Sequence, residues 1–361
     1  MRIALVGPSN LGPYHLARYN ALAAQGAEVH IAGCPVKEYY RPWEFAVDNA
    51  HFAVSRPFSG RARSLILEAR AWLQSCEPDV AIVIGYNSAY GAAVASVAAL
   101  QGIPRLLVLV GTEATAGRSA TREIAKKAIC RALFDGALVP GKRALEYALK
   151  LGIPSDRVWE VGNAVDNSHF DSSLKGSVQD AFVYVGRLSR EKNLPKLLEA
   201  YEAYRAHGVQ WRLLLAGDGP MRNELAEMCR VRNGVELLGW VSYRDLPSVL
   251  RRASALVLPS LHEPWGLVVN EAMASHLPVL VSRSCGCYPE LCREGVNGFG
   301  FDPRSKYSIS TAMLRLSSET AVSIQQMGLS SRQMVEQYSL ERWSTTLLRA
   351  ARFVLGSNSR K

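Results

Sequence analysis

Ten short segments of this 361-residue chain are apolar at nearly every position, and they fall into two groups of five. RIALVG (2–7), AEVHIAG (27–33), PDVAIVIG (78–85), PRLLVLVG (104–111) and GALVPG (136–141) form the first group. AFVYVGRL (181–188), WRLLLAGDG (211–219), VELLGWV (235–241), ALVLPS (255–260) and PVLVS (278–282) form the second. Strands that do not alternate apolar with polar are buried on both faces, which calls for a parallel sheet covered by helices. Helical segments near 13–25, 62–75, 88–101, 119–134 and 142–151 separate the first five strands. A turn-rich stretch, GIPSDRVWEVGNAVDNSHFDSSLKGSVQD (152–180), then joins the two series. The expectation is an α/β chain of two doubly wound, Rossmann-like domains facing each other across a cleft, spanning 1–165 and 178–338.

Composition narrows the function classes. Hydrophobic content of 48% with 20% charge suits a globular chain that buries a core, and no apolar run reaches the ~18–20 residues that span a bilayer. The opening MRIALVGPSNLG is a short strand entering a turn, too short for a secretory h-region, so mature protein from Met1 is expected, and the cysteine usage suits a cytoplasmic location. The seven cysteines are odd in number and sit mostly in apolar segments, as reduced core thiols do. CGCYPELC crowds three of them without completing a zinc spacing, so no metal site is expected there. A net charge of +10 points to an anionic partner. No nucleic-acid module accompanies that charge, so nucleic acid is not expected. The excess is densest over 118–143. On a helix there, Ile124, Ala125, Ala128, Ile129, Ala132 and Leu133 share one half, and Arg122, Lys126, Lys127 and Arg131 share the other. This reads as a helix packed on the sheet with a solvated basic face; the alternative is a face turned to an anionic membrane or a phosphate.

In open α/β sheets ligands bind beyond the carboxyl ends of the strands. GRLSREKN follows one strand of the second series, and its Arg187 and Lys192 set two cations beside a helix start, a suitable diphosphate site. LHEPWG follows another. Gly266, Leu267 and Val268 open the helix LVVNEAMA, so their amides lack intrahelical partners and can bind an oxyanion. Glu263 lies upstream in the bend and Glu271 along the helix. Eight helical steps would separate them by ~12 Å, too far for a hydrolytic carboxylate pair. One acid for hexose hydroxyls and one for ribose hydroxyls, with phosphate-binding amides between, fits that spacing.

VGRLSREKNL, LLLAGDGPMRNEL, LLGWV, ALVLPSLHEPWGLVVNEAMASHLPVLVS and GVNGFGF, in this order, resemble the signatures of glycosyltransferase family four, including its E-x7-E motif. The resemblance covers roughly 155–345. It is weaker in the first half, where the LG turn and GALVPGKRALEYALKLGIP carry it. It implies a GT-B fold whose last segment, 339–361, containing the amphipathic SLERWSTTLLRAARFVL, crosses back to the first domain. It implies a retaining transferase that moves a hexose-type sugar from a UDP- or GDP-sugar to a glycan or lipid-linked hydroxyl acceptor, in polysaccharide or glycolipid synthesis; the basicity over 118–143, not the resemblance, suggests a lipid-linked or phosphorylated acceptor and peripheral contact with an anionic membrane. Carried over, Arg187 and Lys192 bind the diphosphate and Glu263 the transferred sugar; these three carry catalysis. Gly266 and Leu267 give amides, Glu271 binds ribose, the base lies beside Gly239 to Val241, and Gly12 approaches the donor phosphate. The chain departs from the family at GTEAT, where Thr112 or Glu113 stands in place of a histidine, and at NLGP, where many relatives have a glycine pair. Tyr14 and His15 follow that turn. No D-x-D occurs, so no metal or cofactor is expected to hold the diphosphate. A GT-B epimerase or phosphorylase and a catalytically silent GT-B binding protein are the competing readings.

Overall fold

A computed structural model describes residues 1–8, 11–34, 51–55, 64–85, 88–112, 120–171, 180–288 and 290–358. The chain divides into two compact units, Met1–Ala164 together with Leu340–Lys361, and Val165–Ser339.

The first unit carries a seven-stranded, wholly parallel sheet. Its strands are β1 (Arg2–Pro8), β2 (Glu28–Cys34), β3 (Ala53–Ser55), β4 (Val80–Ile84), β5 (Arg105–Val108), β6 (Gly136–Val139) and β7 (Val158–Glu160), in the order β3-β2-β1-β4-β5-β6-β7. Successive residues of β1 point to opposite faces, and both faces are covered. Ile3 and Leu5 pack with Tyr19 and Leu22 of α1 (Pro13–Ala24) and with Trp343, Leu347 and Ala351 of the last helix, Leu340–Asn358. Ala4 and Val6 pack with Trp72 and Leu73 of α2 (Leu65–Cys76) and with Val94 and Val97 of α3 (Ala89–Leu100). Two buried faces explain why these strands read as unbroken apolar runs. The returning helix is also tied by polar contacts. The Gln25 amide donates to Ser344 Oγ at 2.6 Å, and the Arg18 guanidinium lies 5.9 Å from the Trp343 ring centre.

The second unit repeats the plan with six parallel strands: β8 (Ala181–Val185), β9 (Arg212–Ala216), β10 (Val235–Gly239), β11 (Ala255–Leu258), β12 (Val279–Ser282) and β13 (Gly298–Phe301), in the order β10-β9-β8-β11-β12-β13. The order reverses between β8 and β11. Chain leaving those neighbours runs to opposite sides and opens a crevice at their carboxyl ends.

Three strands, β3, β7 and β13, go beyond the ten expected, and each is a sheet edge. β3 and β7 have three residues each, too few for a pattern. β13 is GFGF, because its glycines let backbones approach. A Cβ on Gly298 would sit 1.8 Å from Val279 O, and one on Gly300 would sit 2.5 Å from the Tyr288 ring.

One expectation is corrected. Helix α4 (Ala120–Leu133) does not pack its apolar half on the sheet. Ile124 is 70% exposed and Ile129 40%, with Ala125, Ala128 and Ala132 also exposed, whereas Cys130 is fully buried. The inward side is narrow instead: Cys130 and, in part, Leu133 meet the core and Lys126 is half-buried, while Arg122, Lys127 and Arg131 are exposed. Lys126 Nζ donates to Glu123 Oε1, and the Tyr147 hydroxyl of α5 (Lys142–Lys150) donates to Glu123 Oε2 at 3.1 Å. The Lys126 bond, opposed by partial burial and aided by Tyr147, holds the Glu123 carboxyl below its ordinary value. The stems of Lys127 and Arg131 lie over the turn at Gly152, where a Cβ would meet Arg131 Cδ at 2.9 Å and Lys127 Cε at 3.2 Å. Long aliphatic stems cover that turn as an apolar residue would, and still lead their charges to water. Arg118 and Glu113 lie outside the described residues.

Candidate functional site

Backbone bonds zip the carboxyl ends of β10, β9 and β8 together. Gly217 N–H donates to Gly239 O at 2.7 Å, Gly186 N–H to Ala216 O at 3.0 Å and Leu188 N–H to Asp218 O at 2.9 Å. Glycine is required at Gly217, where φ is +146° and a Cβ would lie 1.8 Å from Gly186 O. This zipper sets the loop that holds Arg187. The fully buried Tyr184 completes the support, its hydroxyl donating to Arg187 O at 2.8 Å. Burial, with Glu263 and Glu191 nearby, pushes that phenol well above its ordinary value, so it stays a donor. Arg187 itself is exposed.

The same loop is tied across the switch point. Leu261 N–H donates to Glu191 O at 2.8 Å, and the Asn193 amide donates to Pro259 O at 3.2 Å and Pro303 O at 2.7 Å. Asn193 takes a left-handed conformation, φ +60°, as N-cap of α6 (Leu194–Arg205), a conformation asparagine tolerates better than most residues. These ties fix Lys192, one residue earlier, and its ammonium forms an ion pair with Glu263. The pair is sheltered, with side chains 17% and 14% exposed. Glu191 was not anticipated. Burial alone would raise its carboxyl, but the Ser189 hydroxyl, a backbone amide and the charges of Lys192 and Arg187 outweigh that and hold it low.

The bend holding Glu263 rests on the Cys285–Cys287 segment. Gly286 N–H donates to Glu263 O at 2.8 Å and Cys287 N–H to Trp265 O at 3.2 Å. Gly286 packs so closely that a Cβ would lie 1.8 Å from Pro264 O. The buried thiols alongside are inert: desolvation first, then Cys285 and Glu263, push the Cys287 thiol well above its ordinary value. Trp265 anchors the bend from within. It is 2% exposed, and its indole N–H donates to Asn270 Oδ1 at 2.9 Å.

Helix α7 (Leu267–Ala274) starts from Gly266, whose φ of +103° favours glycine. A Cβ there would meet Glu263 Cγ at 3.3 Å, so the Glu263 side chain lies against the helix start. The first amides of α7, at Leu267 and Val268, open beside that carboxylate and Lys192. Glu271 stands in the second turn and is 1% exposed, so the two acids occupy different surroundings. Gly239 closes β10 with φ +74°, and Val241 follows at intermediate exposure.

Arg187, Lys192, Glu263, Gly266 and Leu267 therefore belong to neighbouring loops of one sheet. Gly12 belongs to the other unit, where it caps α1: its N–H donates to His15 Nδ1 at 3.0 Å. His15 thus takes part in the cap of α1. Thr112 is 4% exposed. Sequence reasoning places Asn193 at a helix start but not its tie across the switch point, and it missed Gly286. The signal for the first was asparagine directly before Leu-Pro at a helix start; for the second it was the glycine between two small cysteines. If Gly286 fixes the bend, Gly286→Ala will destabilise the chain by about 1–3 kcal/mol. Gly356→Ala, within the last helix and with open space around it, is the control and should be neutral or stabilise by up to about 1 kcal/mol. Thermal unfolding checks this, and equal transitions for both variants would contradict it.

Residues 166–337 match the family described as Glycosyl transferases group 1. An uncharacterized glycosyltransferase of Methanocaldococcus jannaschii is 31% identical over 209 residues, which cover 52% of this chain and 51% of that protein. The chain thus spans about half the length of that relative. A crystal structure of a Rickettsia africae glycosyltransferase superposes with a TM-score of 0.78 at 12% identity, covering 98% of each chain. Anabaena HepE, crystallised with UDP and glucose, gives 0.74 at 16% identity over 100% of each. The chain shares the two-unit α/β fold of these solved glycosyltransferase structures, and its residues 166–337 match the group 1 glycosyl transferase family.

Proposed function

We propose that the chain is a retaining glycosyltransferase that moves a hexose-type sugar from a UDP- or GDP-sugar to a hydroxyl of a glycan or lipid-linked acceptor, in polysaccharide or glycolipid synthesis. The observation that carries this is the sheltered Lys192–Glu263 pair beside the opening amides of α7, at the strand-order reversal of a parallel sheet. A cation and helix-start amides suit a diphosphate, and the carboxylate suits sugar hydroxyls. The UDP and glucose bound by the Anabaena structure support a nucleotide-sugar donor.

In this reading the diphosphate takes Lys192 from Glu263, and Glu263 turns to the hexose. Arg187 joins Lys192 on the diphosphate, with amides from Gly266 and Leu267. Glu271 receives ribose hydroxyls, and the base lies along Gly239 to Val241. The acceptor oxygen bonds to the anomeric carbon on the face from which the phosphate leaves. The carbon–phosphate-oxygen bond breaks, and the acceptor's proton passes to the departing phosphate. Positive groups and amides stabilise charge as it develops there. Glu263 is the sole acid of the motif beside the hexose, so a covalent glycosyl-enzyme is not part of the scheme. Neutralisation of the leaving group is assigned to these groups rather than to a metal.

The two acids then fail differently. Glu263→Ala releases Lys192 and keeps or tightens nucleoside diphosphate binding while turnover is lost. Glu271→Gln, chosen to preserve packing, weakens that binding by about 1–3 kcal/mol. Calorimetry with UDP and GDP reads both, and a Glu271→Gln affinity equal to wild type would end the ribose assignment. Proton NMR of the first product will show the donor's own anomeric configuration. An inverted product, or a sugar adduct on Glu263 by mass spectrometry, would remove the same-face mechanism.

A further inference from the structure

The apolar stripe of α4 faces away from its own sheet. Ile124 and Ile129, the two largest side chains on it, are 70% and 40% exposed, and Ala125, Ala128 and Ala132 complete it. At 100° per residue these five lie within one arc opposite the fully buried Cys130. Arg122 borders that arc on one side, and Lys127 and Arg131 border it on the other. All three are exposed, and none forms an ion pair among the described residues. Lys126 is different, because Glu123 neutralises it.

An apolar stripe between two basic margins suits a helix lying flat in a bilayer interface, with its apolar side chains inward and its cations at the headgroups. A second copy of the chain fits poorly. Stripe against stripe would bring three unpaired cations of each copy together, in a chain already at +10. The helix is 14 residues long, and no helix among the described residues is long and apolar enough to cross a membrane. We propose that α4 is an interfacial docking helix for an anionic lipid surface, with Ile124 and Ile129 inserted and Arg122, Lys127 and Arg131 at the headgroups. This stands apart from the transfer reaction, since it needs neither donor nor acceptor.

Sedimentation of the full chain with phosphatidylglycerol–phosphatidylcholine vesicles tests it. Wild type is expected to bind these at low salt and to bind pure phosphatidylcholine far less. Arg122→Gln, Lys127→Gln and Arg131→Gln should each weaken binding about fivefold. Ile124→Asp with Ile129→Asp should weaken it at least about tenfold with every cation in place. Because both isoleucines are exposed, circular dichroism and the melting temperature should not move. Wild type that ignores anionic vesicles would overturn the proposal, as would an isoleucine variant that binds like wild type. A wild-type dimer that the isoleucine variant dissolves would overturn it in favour of self-association.

Discussion

An ammonium and a carboxylate can share so dry a place only when the backbone around them is fixed. Removing two charges from water costs several kcal/mol per ion, and their attraction returns this only when the geometry is held. Here it is held by hydrogen bonds to main-chain carbonyls. Leu261 to Glu191 and Asn193 to Pro259 bind the loop after β8 to the loop after β11, and Gly286 to Glu263 braces the latter from behind. Each tie satisfies a backbone carbonyl that would otherwise need water. Lys192 and Glu263 therefore meet with little choice of position. Such a pair is weak evidence for stability; in the proposed function its value lies in being exchangeable, an arriving anion taking one partner and a polyol the other.

The glycines serve the same end. Gly217, Gly266 and Gly286 stand where a Cβ would strike a carbonyl or a side chain across a loop. Close approach brings β8, β9 and the bend at Glu263 into one rim. These positions are legible in the sequence as punctuation after strands. What each glycine approaches is not legible, because the partner is distant along the chain: Gly286 meets Pro264, and Gly217 meets Gly186.

Much of the architecture was readable because double burial leaves an unbroken apolar run, and ten strands announce themselves in that way. The three remaining strands are edges, and two of them carry only three residues each. Helix α4 misled for a related reason. Periodicity separates its apolar half from its basic half but does not say which half meets the protein. Lys127 and Arg131 cover a glycine turn with their stems, and a Glu123–Lys126–Tyr147 cluster satisfies the polar groups beneath. Among the site residues, Arg187, Lys192, Glu263 and Gly266 could be placed by their position after strands. The ion pair between two of them, 71 residues apart in sequence, could not.

The central claim is that the Lys192–Glu263 pair marks the place of the donor's diphosphate and sugar. A crystal structure of the chain with a nucleoside diphosphate tests this most directly. The account predicts diphosphate oxygens within hydrogen-bond distance of Lys192 Nζ and of the Leu267 amide, with Glu263 released from the lysine. A nucleotide bound elsewhere, with the ion pair intact, would contradict it.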